Sequence, residues 1–232
     1  MPATADWECV GPTNIGGRMT SLICHPTRPD VIWAGAAGGG VWKSEDAGKT
    51  WRPLWHGEDS LNVGSLAIDQ RNPDVLYCGT GEANLSADSY PGVGLYRSAN
   101  GGASWELHAS AKQTGIPRRI GVIAIDPFDS NHIRIGGVRH SNQDSSGMYV
   151  SRDGGVTWAR DPFASAQSYW CHSIVFHPTQ QGTIWAAVYE RGTRNGIWRT
   201  TNEGGNWTQL TSGLTLPEQF GRASLAVAPS NP

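Results

Sequence analysis

The sequence predicts an all-β fold, a β-propeller of four-stranded antiparallel blades with four complete blades and partial units at both ends. Three observations predict it. An eight-residue phrase returns four times, starting at positions 44, 98, 151 and 200, so its copies are spaced by 54, 53 and 49 residues. A period of this length marks one supersecondary unit copied along the chain. Between the phrases lie short runs of β-branched and aromatic residues bounded by Gly, Pro, Asn and Asp, the pattern of short strands and tight turns. Charged residues are 16% of the chain and glycines are 30 of 232, where ~25% and ~7% are usual.

Each unit opens on an apolar strand: Leu22-Ile23-Cys24, Leu66-Ala67-Ile68, Ile123-Ala124-Ile125 and Ile174-Val175-Phe176. These runs predict an innermost strand buried on both faces. A turn follows at His25-Pro26, Asn72-Pro73, Asp126-Pro127 and His177-Pro178. The second strands are 31–34, 75–78, 133–135 and 184–187, and the third are 41–43, 95–97, 148–150 and 197–199. The third runs straight into the phrase, and a short fourth strand leaves from its closing Trp. Read as one domain over 1–232, the blades run about 20–55, 64–109, 121–162 and 172–211, with partial units at 6–12 and 222–232. The expectation is then a fragment of a longer protein; the alternatives are a bare four-bladed ring, or an open array whose edges a second chain closes by self-association.

Within the phrase, Gly supplies positive φ and the acidic residue accepts backbone N–H groups as Asx turns do. The acidic position is Asp46, Asn100, Asp153 and Asn202; the closing residue is Trp51, Trp105, Trp158 and Trp207. Asn keeps the acceptor and loses the charge, so the position braces a turn rather than performs catalysis. The Trp packs between blades.

The pattern Ser-x-Asp-x-Gly-x-Thr-Trp resembles the Asp box, or BNR repeat, of the propeller superfamily that includes sialidases, xyloglucanases and sortilin-type domains. The stretches 11–18 and 79–84 are most similar to secreted bacterial members of unassigned activity. The resemblance implies a site on the face opposite the boxes, built by loops joining second to third strands and by loops joining one blade to the next. Here the second-to-third loops carry Glu82, Asn84, Asp88 and Tyr90 in the second unit, His140 and Asp144 in the third, and Tyr189, Glu190 and Arg191 in the fourth. In the first unit, Ala37 stands where xyloglucan-degrading relatives carry Asp. A sialidase-like clamp would draw on Arg18, Arg119 and Arg222, but each Arg also reads as a structural cap, and the Arg-Ile-Pro signature is missing.

The first functional expectation is therefore a non-catalytic binding or scaffold propeller. It would hold a glycan or a partner protein through Arg18, Glu82, Asn84, Asp88, Tyr90, Arg119, His140, Asp144, Tyr189, Glu190 and Arg191. The alternative is a glycoside hydrolase, sialidase- or xyloglucanase-like, or a fragment of one, whose carboxylate pair comes from Glu82, Asp88, Asp144 and Glu190. Whether the chain is an enzyme stays open at this point. His25 and His177 take the turn place held by Asp69 and Asp126, which points to structure; His140 and His172 are lone histidines and carry little signal.

A net charge of −2 gives no electrostatic footprint for nucleic acid, and no apolar run reaches the ~20 residues of a membrane helix. No cofactor or metal is expected, since no Cys/His cluster or phosphate loop occurs. The cysteines Cys9, Cys24, Cys78 and Cys171 match no metal spacing and read as buried free thiols. Residues 1–6 lack the character of a signal peptide, which leaves two readings: a cytoplasmic protein, or a piece of a parent protein that works in the extracellular space or periplasm, as the resemblance implies.

Overall fold

A computed structural model describes residues 17–55, 57–84, 86, 88–139, 145–163, 169–189, 194–214 and 220–228. They form four four-stranded antiparallel sheets, each a meander in sequence order. The first holds β1 (Met19–Cys24), β2 (Ile32–Ala36), β3 (Gly40–Ser44) and β4 (Arg52–Pro53). The second holds β5 (Val63–Ile68), β6 (Leu76–Thr80), β7 (Gly94–Ser98) and β8 (Glu106–Ser110), followed by a one-turn helix α1 (Ala111–Thr114) that the sequence reading lacked. The third holds β9 (Ile120–Ile125), β10 (Ile133–Gly137), β11 (Gly147–Ser151) and β12 (Ala159–Arg160). The fourth holds β13 (Trp170–Phe176), β14 (Ile184–Tyr189), β15 (Gly196–Thr200) and β16 (Thr208–Leu210). Strands β1, β5, β9 and β13 lie side by side as the innermost strands. The fold is the propeller array that the sequence predicts.

Burial shows why the blades need one another. Three apolar clusters form, centred on Trp33, Trp55 and Leu76, on Leu95, Ile120 and Ile135, and on Met148, Tyr169 and Ile184. Strand β5 is buried along its whole length. Strand β1 departs from the expected burial on both faces: Leu22 is 63% exposed and Met19 is 50% exposed. No blade among the described residues stands in front of it. Cys78 and Cys171 are buried free thiols, whereas Cys24, at the end of β1, is exposed. Residues 220–228 pass beside β13, where the Leu225 N–H bonds Ser173 Oγ at 3.0 Å. The Leu66 N–H bonds Ser21 Oγ in the same way at 2.9 Å, so the segment sits where the innermost strand of a following unit belongs. The partial unit read at 6–12 lies outside the described residues.

A repeated hydrogen bond ties each blade to the next. Trp33 on β2 donates to the Gly101 carbonyl at 3.1 Å. Tyr77 on β6 donates to the Gly154 carbonyl at 2.9 Å, and Arg134 on β10 donates to the Glu203 carbonyl at 2.6 Å. These carbonyls all belong to the fourth residue of the following box. That residue is left-handed in every copy: Ala47 (φ 60°), Gly101 (65°), Gly154 (72°) and Glu203 (57°). The closing Trp residues of the last three boxes pack on these interfaces, while Trp51, with no preceding described blade, is exposed.

Candidate functional site

The meander fixes which end of the array holds which loops. Each third strand runs down into a box, so the boxes occupy one end and the loops joining second to third strands occupy the other. The innermost strands start at that loop end. Around their starts opens a cavity of about 620 Å³, lined by Arg18, Glu82, Asn84, His172, Arg222 and Ser224 among others. This lies within the ~300–1,000 Å³ of small-ligand sites.

Arg18, just before β1, reaches across to the second blade's loop. Its Nε donates to Glu82 Oε1 at 2.7 Å, its Nη2 to Glu82 Oε2 at 2.6 Å and its Nη1 to Asp88 Oδ2 at 2.8 Å. The planar guanidinium is suited to such a bidentate grip. Asn84 Nδ2 adds a bond to Glu82 Oε1 at 2.9 Å, and Ser86 donates to Asp88 Oδ1 at 2.6 Å. The Glu82 side chain is 1% exposed and that of Asp88 60%. Hydrogen bonds from Ser86 and Arg18 hold the Asp88 carboxyl down at about 2. Asp88 is therefore ionised at neutral pH and has no proton to give to a leaving group. Both oxygens of Glu82 are occupied by Arg18, so it has no free edge for a sugar while that pair holds.

The other sequence-predicted residues divide. Tyr90 is exposed at the same loop, and its carbonyl accepts the Glu82 N–H at 3.0 Å, closing the loop on itself. Arg119 is buried and reaches the Ser89 carbonyl at 3.4 Å rather than the cavity. Arg222 lines the cavity and donates to the Asn84 carbonyl at 2.6 Å. The three arginines thus do not converge on one point: Arg18 holds acids, Arg119 holds a buried loop, and Arg222 alone faces the cavity without an acidic partner among the described residues. Tyr189 stacks on Trp170, centroids 5.1 Å apart. His140, Asp144, Glu190 and Arg191 lie outside the described residues. Ala37 sits in the first blade's turn, its N–H bonded to the Arg18 carbonyl at 2.9 Å, so it adjoins the Arg18 cluster and offers no carboxylate to it.

His25 and His177 are at the box end. Each Nδ1 accepts two backbone N–H groups, from Thr27 and Arg28 at 3.2 Å each and from Thr179 and Gln180 at 3.1 and 3.0 Å. Asp69 and Asp126 accept the corresponding N–H groups of Arg71 and Phe128. The boxes are likewise internal braces: Asp46 Oδ1 accepts from Ser44 at 2.8 Å and from the Thr50 N–H at 2.9 Å. Asn100 Oδ1 makes the matching bonds to Ser98 and the Ser104 N–H, both at 2.9 Å. The residue that sequence reasoning passed over is His172, which lines the cavity. Its signal was its alignment with Gly64 and Gly121 on the innermost strands. No cluster suited to a metal occurs among the described residues.

The BNR/Asp-box repeat model matches residues 149–160. An oligoxyloglucan-reducing end-specific xyloglucanase of Emericella nidulans is 28% identical over 204 residues, 83% of this chain and 24% of that protein. A xyloglucanase of Paenibacillus sp is 27% identical over 234 residues, 88% of this chain and 22% of that protein. An ancestral GH74 enzyme superposes with a TM-score of 0.65 at 24% identity, covering 85% of this chain and 24% of the other. The GH74 enzyme of Niastella koreensis gives 0.63 at 23% identity, covering 85% and 30%. These structures share the fold. The chain spans about a quarter of the length of the curated relatives it matches.

Proposed function

This chain is an Asp-box β-propeller, and we propose that it is the glycan-contacting part of a glycoside hydrolase acting on xyloglucan or a related β-glucan. The observation that carries the reading is the similarity to xyloglucanases, which runs through most of the chain and therefore includes the loop end with its polar cavity. That similarity favours the hydrolase over the binding module to which the sequence alone pointed first. Within the segment, Asp88 is the exposed carboxylate offered to the sugar. Held ionised, it serves as a base, nucleophile or charge stabiliser and never as the general acid. Arg18 and Glu82 position it. Asp144 and Glu190 remain candidates for the second carboxylate. A polymeric substrate does not enter cells, so the working protein acts outside the cytoplasm.

The test is release of reducing sugar from xyloglucan and its oligosaccharides. Asp88→Asn is expected to cut turnover by about 10²–10⁴-fold with little change in KM. Full activity after Ala replacement of Asp88, Asp144 and Glu190 together would discard this carboxylate set. A second reading, a propeller that binds glycan without hydrolysing it, is favoured by Ala37 at the expected Asp and by the complete pairing of Glu82 with Arg18. Oligosaccharide binding with no detectable turnover would establish it.

A further inference from the structure

Each innermost strand breaks its register at one position near the cavity. The pairing of β1 with β2 skips Thr20, that of β5 with β6 skips Gly64, that of β9 with β10 skips Gly121, and that of β13 with β14 skips His172. All four skipped residues line the cavity. A β-bulge re-aims the residue it carries and is common beside functional sites. Two of the four positions admit no side chain. A Cβ on Gly64 would stand 2.3 Å from the carbonyl oxygens of Gly81 and Ile120, and one on Gly121 would stand 2.6 Å from the Ala83 Cβ. The Thr20 hydroxyl is already spent, lying 2.8 Å from the Val63 carbonyl and 3.1 Å from that of Gly35. His172 is therefore the bulge residue with chemistry left to offer.

Its imidazole makes no hydrogen bond to any described residue, and its Nε2 is buried without a partner. Buried polar atoms are ordinarily satisfied, so a cavity-lining imidazole without a partner points to a ligand as the partner. The neighbouring charges decide which kind. Arg222 lines the same cavity and acts on the charge of His172, and Arg18 lines it with its own charge spent on Glu82 and Asp88. Burial and the charge of Arg222 push the His172 imidazole down to about 4. At neutral pH it is uncharged and able to accept a hydrogen bond.

We propose that His172 is the ligand-contacting residue of the axial cavity and accepts a hydrogen bond from a hydroxyl of a neutral sugar, an assignment that rests on the glycan reading above. An acidic sugar would draw a proton onto the ring and bind more tightly in acid; a neutral sugar loses its acceptor there.

Binding of xyloglucan oligosaccharides is measured by calorimetry at pH 7.5, 6 and 4.5, with imidazole ¹⁵N shifts recorded alongside. The expected result is a His172 shift on addition of sugar, affinity flat from pH 7.5 to 6 and only about 1.3-fold weaker at 4.5, and at least a fivefold loss in His172→Ala. His172→Asn, which retains an acceptor, should recover part of it. If the wild type binds no oligosaccharide, the glycan reading itself fails. If the wild type binds and both variants bind equally well, or if binding tightens at pH 4.5, the assignment of His172 is overturned while the glycan reading stands. The wild-type imidazole shift needs no variant to fold and decides the matter if either substitution destabilises the protein.

Discussion

At Asp46 one carboxylate gathers bonds from Ser44, from the Thr50 N–H and from the Thr50 hydroxyl at 2.6 Å. Asn100 keeps the first two kinds through Oδ1 and reverses the third, its Nδ2 donating to Ser104 Oγ at 2.9 Å. The turn thus tolerates either residue because a hydroxyl can serve as donor or acceptor. Hydrogen bonds from Thr50 hold the Asp46 carboxyl at about 2, and those from Thr157 do the same for Asp153. Depressed carboxyls add stability that is present above the unfolded value near 4 and lost as pH falls through 2. Asp46→Asn is therefore expected to leave the thermal midpoint near its wild-type value at pH 7 and to remove part of its fall between pH 4 and 2. Asp46→Ala should lower the midpoint at both. Thermal unfolding followed by circular dichroism checks this, and a midpoint drop for Asn equal to that for Ala would show that the charge itself matters. Gly102 next door has φ 86° and a Cβ there would lie 2.9 Å from Leu54 Cδ1. Gly102→Ala should cost about 1–2 kcal/mol, read from urea unfolding.

Between blades, the side chain that bridges to the next box differs while its role is constant. Tyr77 contributes one neutral hydrogen bond, so Tyr77→Phe should cost about 1 kcal/mol. Arg134 also pairs with buried Asp161 and lies over the Trp207 ring. Arg134→Met leaves that carboxylate buried without its partner, and the expected loss is about 3–5 kcal/mol. Urea unfolding of the two variants should give this order, and equal costs would refute the ion pair's role. Bridges of this kind were invisible in the sequence. Trp33, Tyr77 and Arg134 share only a donor at the end of a long side chain, and their common partner is a backbone carbonyl 68, 77 and 69 residues on. The boxes and strands were legible because they are local: a turn residue's preference and a strand's apolar run depend on near neighbours. The grip of Arg18 on Glu82 spans 64 residues and that of Arg222 on Asn84 spans 138, so the sequence supplied the residues of the cluster without their pairing. His172 stayed hidden for a related reason, since a bulge is a property of two paired strands.

Across the molecule, the histidines and carboxylates titrate in separate windows. His25, His132 and His172 are all lowered from the ordinary value of 6.5, chiefly by burial. They sit in different blades and do different work: His25 accepts backbone N–H groups, His132 pairs with Asp126 at 2.8 Å, and His172 lines the cavity. A histidine lowered in the folded state is neutral there and charged in the unfolded chain below 6.5. Its contribution is fully present above 6.5 and is lost as pH falls through the folded value, which for His172 is about 4. Carboxylates such as Asp46, Asp88 and Asp153 lose theirs only below about 4. The midpoint of unfolding should therefore fall in two stages, a histidine stage from pH 6.5 to 4 and a carboxylate stage below it. Because each blade packs only on its neighbours, as in other repeat arrays, the histidine stage should shrink by separate amounts in His25→Asn and His172→Asn and add in the double variant. Midpoints flat from pH 6.5 to 4 in the wild type would mean that these imidazoles titrate alike in the folded and unfolded chains, and would move the loss of the cavity's neutral acceptor up to about pH 6.5.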